Sequence, residues 1–559
     1  MKHFTSAVCL IFLMFCTGYA QEQTVGLFEN DSLSFNGYSL LAPSVSKQIF
    51  LLDNCGRVVH QWESDFFPGM VTYLLPDGNL LRACRIQNTT FFGGGSGGRL
   101  ELLDWDSNVI WSYQYSSSMH HQHHDLEFLP NGNILVLAWE FRSEVEALEA
   151  GRNPDVLQNS VWPEQIVELK PVGTNGVEIV WIWRAWDHLV QDFDPTKENY
   201  GVVSAHPELI DLNFTGPSNL GSSNPDWIHA NSIAYNAELD QIIINSRNFQ
   251  EFWVIDHSTT IAEAAAHEGG NSGKGGDLLY RWGNPRTYQR GDFDDQVFFV
   301  QHDAHWIPEG YPGAGNIMVF NNGLGRPDGN YSSVDVLKPP MDMDGQYIID
   351  PEEAYGPDEF DWQYVANPPE DLFSSNISGA QRLPNGNTLI CEGNQGTFIE
   401  VDEEGQQHWL YVSPISQGTS IPQGQNPAQN SVFRMHRYGP DYPAFTGKIL
   451  EPGDPIELDP FPSDCIIYGE PVSVVESNYS KPVIHAFPNP FSDHLSIEFA
   501  DPFLHQVEIL DALGRRVYSS LTAQSILELG TANWSPGLYL LRVREEKAAG
   551  WSIQKIIKQ

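Results

Sequence analysis

The sequence predicts an all-β chain, a six-bladed β-propeller followed by a small C-terminal β-sandwich. Three observations lead to that reading. A strand, an Asp-Gly or Asn-Gly turn and a second strand recur along most of the chain, a hairpin ending on tryptophan recurs between them, and residues 481–559 change in both pattern and charge. Composition agrees, with 12% aromatic residues, 48 Gly and 37 Pro. No long stretch is dominated by Ala, Glu, Lys and Leu, so short strands joined by turns are expected rather than bundled helices. At 559 residues the chain exceeds one ordinary compact domain.

The N-terminus, "MKHFTSAVCLIFLMFCTGYAQEQ", has a Lys, an apolar centre and small residues at Gly18 and Ala20. That pattern is expected of a secretory signal over residues 1–20, cleaved after Ala20. Cys16 does not make a lipoprotein, because Phe15 stands where the processing enzyme needs a small residue. No other run is long and apolar enough to span a bilayer, so no transmembrane segment is expected.

The repeat comes next. Its first half reads "YLLPDGNLL" from Tyr73, "EFLPNGNILVL" from Glu127, "HWIPEGYPGAGNIMVF" from His305 and "QRLPNGNTLI" from Gln381. The Asn-Gly and Asp-Gly steps are hairpin signals, since both residues tolerate positive φ. Its second half closes on Trp62, Trp111, Trp183, Trp282, Trp362 and Trp409, six occurrences. Units of four strands that bury their faces against their neighbours build a propeller, and six of them fit within an expected propeller domain at 21–455. Long inserts follow Trp183 and separate Ile255 from Leu278, so loops on one face are expected to shape a site.

A linker is expected over 456–483 and a strand-only sandwich over 484–559, carried by "HAFPNPFSDHLSIEF", "HQVEILDALGRRVYSS" and "SPGLYLLRV". These segments resemble the C-terminal sorting domain of the type IX secretion system. The resemblance implies export through the periplasm to the cell surface or medium, with that machinery as partner. The net charge is −42, yet residues 481–559 hold eight Lys/Arg and eight Asp/Glu, so the acid excess lies upstream. An acidic surface disfavours nucleic acid as a partner, and an anionic substrate must be drawn by local cations. Cys55, Cys84, Cys391 and Cys465 remain after the signal, without a CxxC, which allows one or two disulfides and indicates no metal site.

The candidate chemistry lies in two stretches, "HHQHHDLEFLPNGN" at 120–133 and "FFVQHDAHWIPEG" at 298–310. His124 and His302 occupy one repeat position, five residues before Leu129 and Ile307, and Met70 and Ser378 hold it in other blades. Equivalent positions converge on a propeller's axis. In "DWIHANSIAYNAELDQIIINSRNF" His229 and Asn231 precede the corresponding strand and Arg247 follows the next. Three imidazoles, an amide and a guanidinium together suit a tetrahedral anion. His123, next to His124, can take its place; Ser378 can donate to an oxyanion or simply fit a tight turn; Asp303 is expected to orient a ring.

The stretch from Gly37 to Phe445 resembles the bacterial arylsulfate sulfotransferase family through "DWIHANSI", "DHSTT", "GGNSGKGGDLLYRWGNP", "QHDAHWIP", "SGAQRLPNGNTLICEG" and "FRMHRYGPDYPAF". The resemblance implies a six-bladed propeller that moves a sulfuryl group from an aryl sulfate to a phenolic acceptor, without a nucleotide donor or cofactor. It carries the nucleophile, which becomes a sulfohistidine, to His302, the oxygen-binding pair to His229 and Asn231, the arginine to Arg247 and the remaining histidine to His124.

Competing signals are weak. "EGGNSGKGGD" lacks the glycine spacing and the Ser/Thr after Lys274 of a phosphate loop, and "PPMDMDGQ" around Asp342 and Asp344 lacks later calcium-ligand positions. A non-catalytic cell-surface propeller needs no histidine constellation. A sulfate-ester hydrolase shares the site and differs in how the pocket excludes water.

Overall fold

The computed structural model describes residues 22–216, 225–342, 345–468, 484–499, 504–511, 515–545 and 552–559. The expected signal at 1–20, Asp344 and the later part of the expected linker lie outside them. The chain divides into two compact units, Met1–Gly469 and Glu470–Gln559. Nearly all described secondary structure is β. The two α-helices, Glu144–Glu149 and Ile261–Ala264, are single turns or little more, each opened by a capping box from Ser143 or Thr260.

The first unit is built of six antiparallel sheets of four or five strands, with three two-stranded pairings beside them among the described residues, one of which is parallel. Four of the six are consecutive four-stranded meanders, running from Pro68–Leu74 to Val109–Gln114, from His120–Phe128 to Gly176–Arg184, from Ala230–Asn236 to Leu278–Trp282, and from His302–Trp306 to Trp362–Val365. The other two are completed by distant segments. His436–Tyr438 pairs with Tyr38–Leu41 as the first strand of the N-terminal sheet, and Gly26–Asn30 pairs with Gln407–Val412 as a fifth strand on the last. The turns follow the sequence signals: Gly78, Gly132 and Gly386 take φ of 88, 86 and 97°, which a glycine adopts without steric cost.

The six tryptophans have one structural address, the fourth strand of each sheet. From there the indole N–H donates to a backbone carbonyl at the start of, or just before, the fourth strand of the next sheet: Trp111 to Gly176 O, Trp183 to Gly276 O, Trp282 to Pro357 O, Trp362 to Glu403 O and Trp409 to Asn54 O. The last of these runs from the final sheet to the first. Trp62 meets the next sheet edge-on through Trp105, at 5.1 Å between ring centroids. Apart from half-buried Trp362 these indoles are at most 6% exposed. Burying each contributes about 4–6 kcal/mol of transfer free energy before entropy is counted.

Six apolar clusters fill the spaces between neighbouring sheets, the one around Trp409, Tyr411 and Phe50 joining last to first. A disulfide between Cys55 and Cys465 spans 410 residues and holds the segment after Ile456 on the first unit. Cys84 and Cys391 are free and buried.

In the second unit, Ile484–Phe487, His494–Phe499 and Ile526–Gly530 form one sheet, and Arg516–Thr522, His505–Asp511, Gly537–Glu545 and Ser552–Lys558 form another. Leu495, Ile497, Val507, Ile509, Leu541 and Val543 share its apolar core.

Candidate active site

The first strands of successive sheets lie side by side, His120–Phe128 against Ala230–Asn236 and the latter against His302–Trp306. Each departs from regular pairing at the same level. The register slips between Val136 and Ala138, opposite His123–Asp125, between Ala230 and Ile233, between His302 and His305, and between Pro68 and Thr72. Left-handed φ angles accompany the slips, at Met70, His124, His229 and Asp303, and Ser378 takes one too, ahead of a strand whose pairing is regular. A bulge of this kind re-aims the side chains around it.

The bulges explain the doubled His-Asp pattern. His124 and His302 line a cavity of about 370 Å³ together with Met70, Gly94, Gly95, Asp226, His229, Arg247, Asn248, Asn376 and Ile377. The aspartates that follow turn to Arg434 instead: its guanidinium lies 2.9 Å from Asp125 and 3.0 Å from Asp303. Asp125 also accepts from Tyr73 OH and Ile233 N, and Asp303 from Ala380 N. The Asp303 carboxylate therefore bonds an arginine, with His305 Nδ1 farther off at 3.7 Å and hydrogen-bonded to the Asp303 carbonyl.

His302 has one defined tautomer. Its Nδ1 faces two acceptors, Asn322 Oδ1 at 2.7 Å and Val300 O at 3.0 Å, so Nδ1 carries the proton. Asn322 is itself fixed, its amide donating to Ser374 O and Ile377 O. The lone pair is on Nε2, where it accepts the Ile377 N–H at 3.1 Å. Burial, and then the Arg247 charge, lower the His302 pKa to about 3 against the pull of Asn322 and Val300, so the ring is neutral at pH 7.

His124 stacks edge-on with His229, ring centroids 4.8 Å apart. Its pKa is held well below the usual range by burial and by His229, His123, His302 and Arg247. His229 turns Nδ1 to Asp226, whose other oxygen accepts the Trp139 indole N–H at 2.9 Å. Burial opposes ionisation of Asp226, but His229 and the other donors outweigh it and hold the carboxyl below its usual value. Arg247 Nη1 donates to Asn248 Oδ1 at 3.0 Å, leaving a guanidinium on the cavity wall. An anion entering this cavity meets one guanidinium and three imidazoles.

Three residues expected at the substrate stand behind the wall. Asn231 is fully buried; its amide donates to Gln301 O at 2.9 Å and accepts from Asn245 at 2.6 Å, so it anchors the peptide preceding His302. Ser378 accepts the Gly393 N–H through Oγ, while its neighbours Asn376 and Ile377 line the cavity. His123 lies behind His124, stacked on Trp139 at 4.1 Å. The sequence reading passed over Asp226, Asn248, Asn322 and the glycine run at 93–95. Asp226 was legible as the acid three residues ahead of His229 in "DWIH".

Gly95 shows why the glycines are there. At φ +79° it sits so close to the His124 ring that an added Cβ would lie 2.0 Å from Cε1. One group with metal-ligating atoms within 4.8 Å of one another occurs among the described residues, His188, His267 and Asp277, and none of the three lines the cavity.

Residues 27–436 match the arylsulfotransferase (ASST) family, and residues 485–559 match the secretion system C-terminal sorting domain. No curated protein matches the chain. Among solved structures, a protein of unknown function from Bacteroides caccae is 11% identical over 72% of this chain and 99% of its own, with a TM-score of 0.38. The Pseudomonas aeruginosa periplasmic gluconolactonase PpgL is 12% identical over 72% of this chain and 99% of its own, with a TM-score of 0.36. Among the described residues no helix is long and apolar enough to cross a membrane. The sorting domain indicates a secreted or cell-surface protein, and the chain belongs to the arylsulfotransferase family.

Proposed function

We propose that the six sheets are the blades of a six-bladed propeller, that the C-terminal unit is a sandwich read by the type IX machinery after passage through the periplasm, and that the propeller is an aryl-sulfate sulfotransferase. It moves a sulfuryl group from an aryl sulfate to a phenolic acceptor through a sulfohistidine at His302, with no nucleotide donor. The observation that carries this reading is the state of His302: a neutral ring, with its proton pinned on Nδ1 and its lone pair on Nε2, beside Arg247 and two further imidazoles on one cavity wall.

The chemistry follows from that geometry. Nε2 attacks sulfur, the N–S bond forms as the S–O(aryl) bond breaks, and the aryl oxygen leaves with the electron pair. The transition state is loose, as in phosphoryl transfer, so positioned donors supply most of the catalysis. Arg247 offers a planar fork to the sulfuryl oxygens, and His229, oriented by Asp226, offers Nε2. Once Nε2 is bonded to sulfur, the Ile377 N–H it held is free for a sulfuryl oxygen. The acceptor phenol then attacks the sulfohistidine and restores Nε2. An overall charge of −42 makes Arg247 the local attraction for an anionic donor.

The test is release of 4-nitrophenol from 4-nitrophenyl sulfate, with and without added phenol, by the purified protein and by His302→Ala. Phenol-dependent release that the substitution abolishes supports transfer through His302. Release indifferent to phenol makes the protein a hydrolase, and absence of release with every phenol tried returns it to a binding propeller.

A further inference from the structure

Sulfuryl transfer leaves one proton to be placed, since the departing phenolate gains one and the acceptor phenol loses one. His124 is on the cavity wall, but a neutral imidazole that gives up its only proton becomes an anion. The structure supplies a group behind it. His124 Nδ1 lies 2.8 Å from His123 Nδ1, and His123 Nε2 lies 2.7 Å from Glu164 Oε2. Glu164 begins the strand Glu164–Val172, and its Oε1 accepts the Ala230 N–H at 2.8 Å. Glu164 and His123 are fully buried, and His124 is 3% exposed.

We propose that Glu164, acting through His123 and His124, donates the proton that the departing aryl oxygen takes up and recovers it from the acceptor phenol; the proposal rests on the sulfotransferase reading above. In the resting site Glu164 is a carboxylic acid. Its O–H faces His123 Nε2, His123 Nδ1–H faces His124 Nδ1, and His124 Nε2–H faces the cavity. As the S–O(aryl) bond breaks, the aryl oxygen takes the His124 Nε2 proton. His124 regains one at Nδ1 from His123, and His123 regains one at Nε2 from Glu164, which becomes a carboxylate. Both rings end neutral, and the negative charge of the phenolate has moved to Glu164. The second half-reaction runs the same protons back.

The surroundings favour these states. Burial, with Asp226 nearby, lifts the Glu164 carboxyl well above its usual range against the Ala230 N–H and His229. Burial lowers His123 to about 3 against Asp226, and His124 meets His229, His123, His302 and Arg247. These are the titratable and charged groups that face the relay. Two neutral rings between a carboxylic acid and the cavity carry a proton without a buried cation.

Glu164→Gln tests the proposal with little change in shape. The Gln oxygen keeps the Ala230 N–H, its amide N–H faces His123 Nε2, and the chain of hydrogen bonds survives without a proton to release. Phenyl sulfate and 4-nitrophenyl sulfate are compared in a single turnover without acceptor, which reads the first half-reaction alone. Phenolate needs protonation to leave and 4-nitrophenolate does not, so the single-turnover release of phenol slows on the order of a hundredfold while that of 4-nitrophenol slows by less than about threefold. An infrared difference spectrum, wild type minus Glu164→Gln at pH 7, shows the carbonyl stretch of a protonated carboxyl group. An equal fall for both donors, no fall for either, or carboxylate bands in the difference spectrum overturns the proposal. A wild-type protein that leaves every aryl sulfate intact is a different failure, that of the transferase reading, and removes the relay with it.

Discussion

Asn322 Oδ1 lies 2.7 Å from His302 Nδ1, and the Asn322 amide is pinned by two carbonyls of the 374–377 segment. The tautomer of the proposed nucleophile is therefore set by a residue 20 positions away on the edge of the next strand. Replacing Asn322 with Ala frees the ring to rotate and to hold its proton on either nitrogen. The expected result is a fall in kcat of about ten- to a hundredfold, with KM little changed, read with 4-nitrophenyl sulfate and phenol.

Gly94 and Gly95 are neighbours with different duties. At Gly95 an added methyl meets the His124 ring, whereas at Gly94 the nearest atom is His229 Cε1 at 3.7 Å, ordinary contact. Gly95→Ala is expected to displace His124 and cost about 1–3 kcal/mol of backbone strain, with most of the turnover lost. Gly94→Ala is expected to keep both. Steady-state rates and thermal midpoints of the two variants check this.

The low pKa of His302 has a kinetic and a thermodynamic sign. An unperturbed imidazole of pKa 6.5 is only about 3% neutral at pH 5, but one lowered to about 3 is still neutral there. The rate of sulfuryl uptake is therefore expected to show no loss attributable to His302 between pH 7 and pH 5. Stability moves the other way. Below pH 6.5 the unfolded chain binds a proton at His302 that the folded chain refuses, so this group destabilises the fold progressively from pH 6.5 toward pH 3. His302→Asn is expected to flatten the fall in thermal midpoint over that window relative to wild type.

Arg434 is the cation beneath the site, paired with Asp125 and Asp303 in a setting nearly closed to water. Arg434→Met leaves two buried carboxylates without a counter-charge. The expected loss is about 3–5 kcal/mol, seen as a lower denaturant midpoint. Activity falls along with it, since both aspartates follow cavity histidines in the chain.

The amount legible in the sequence differs by level. The tryptophan at the end of each hairpin marks the fourth strand of a sheet, because hairpin length and a recurring indole are periodic properties that a sequence displays directly. His124, His229, His302 and Arg247 are brought to one cavity, and their repeat positions pointed there. The directions of Asn231, Ser378 and His123 were not legible. They depend on bulges and left-handed φ at non-glycine residues, which alternation along a strand does not encode. Glu164 and Asn322 come from other strands, 41 residues from His123 and 20 from His302, and no local motif announces them.

The first and last sheets of the large unit each borrow a strand from the opposite end of the chain, through Gly26–Asn30 on Gln407–Val412 and His436–Tyr438 on Tyr38–Leu41. The strand that completes the N-terminal sheet comes from the far end of this unit, so it is among the last parts of the unit to be synthesised, and until it arrives that sheet lacks its first strand. A chain cut short before residue 436 keeps every cavity histidine yet lacks the strand that closes its first sheet.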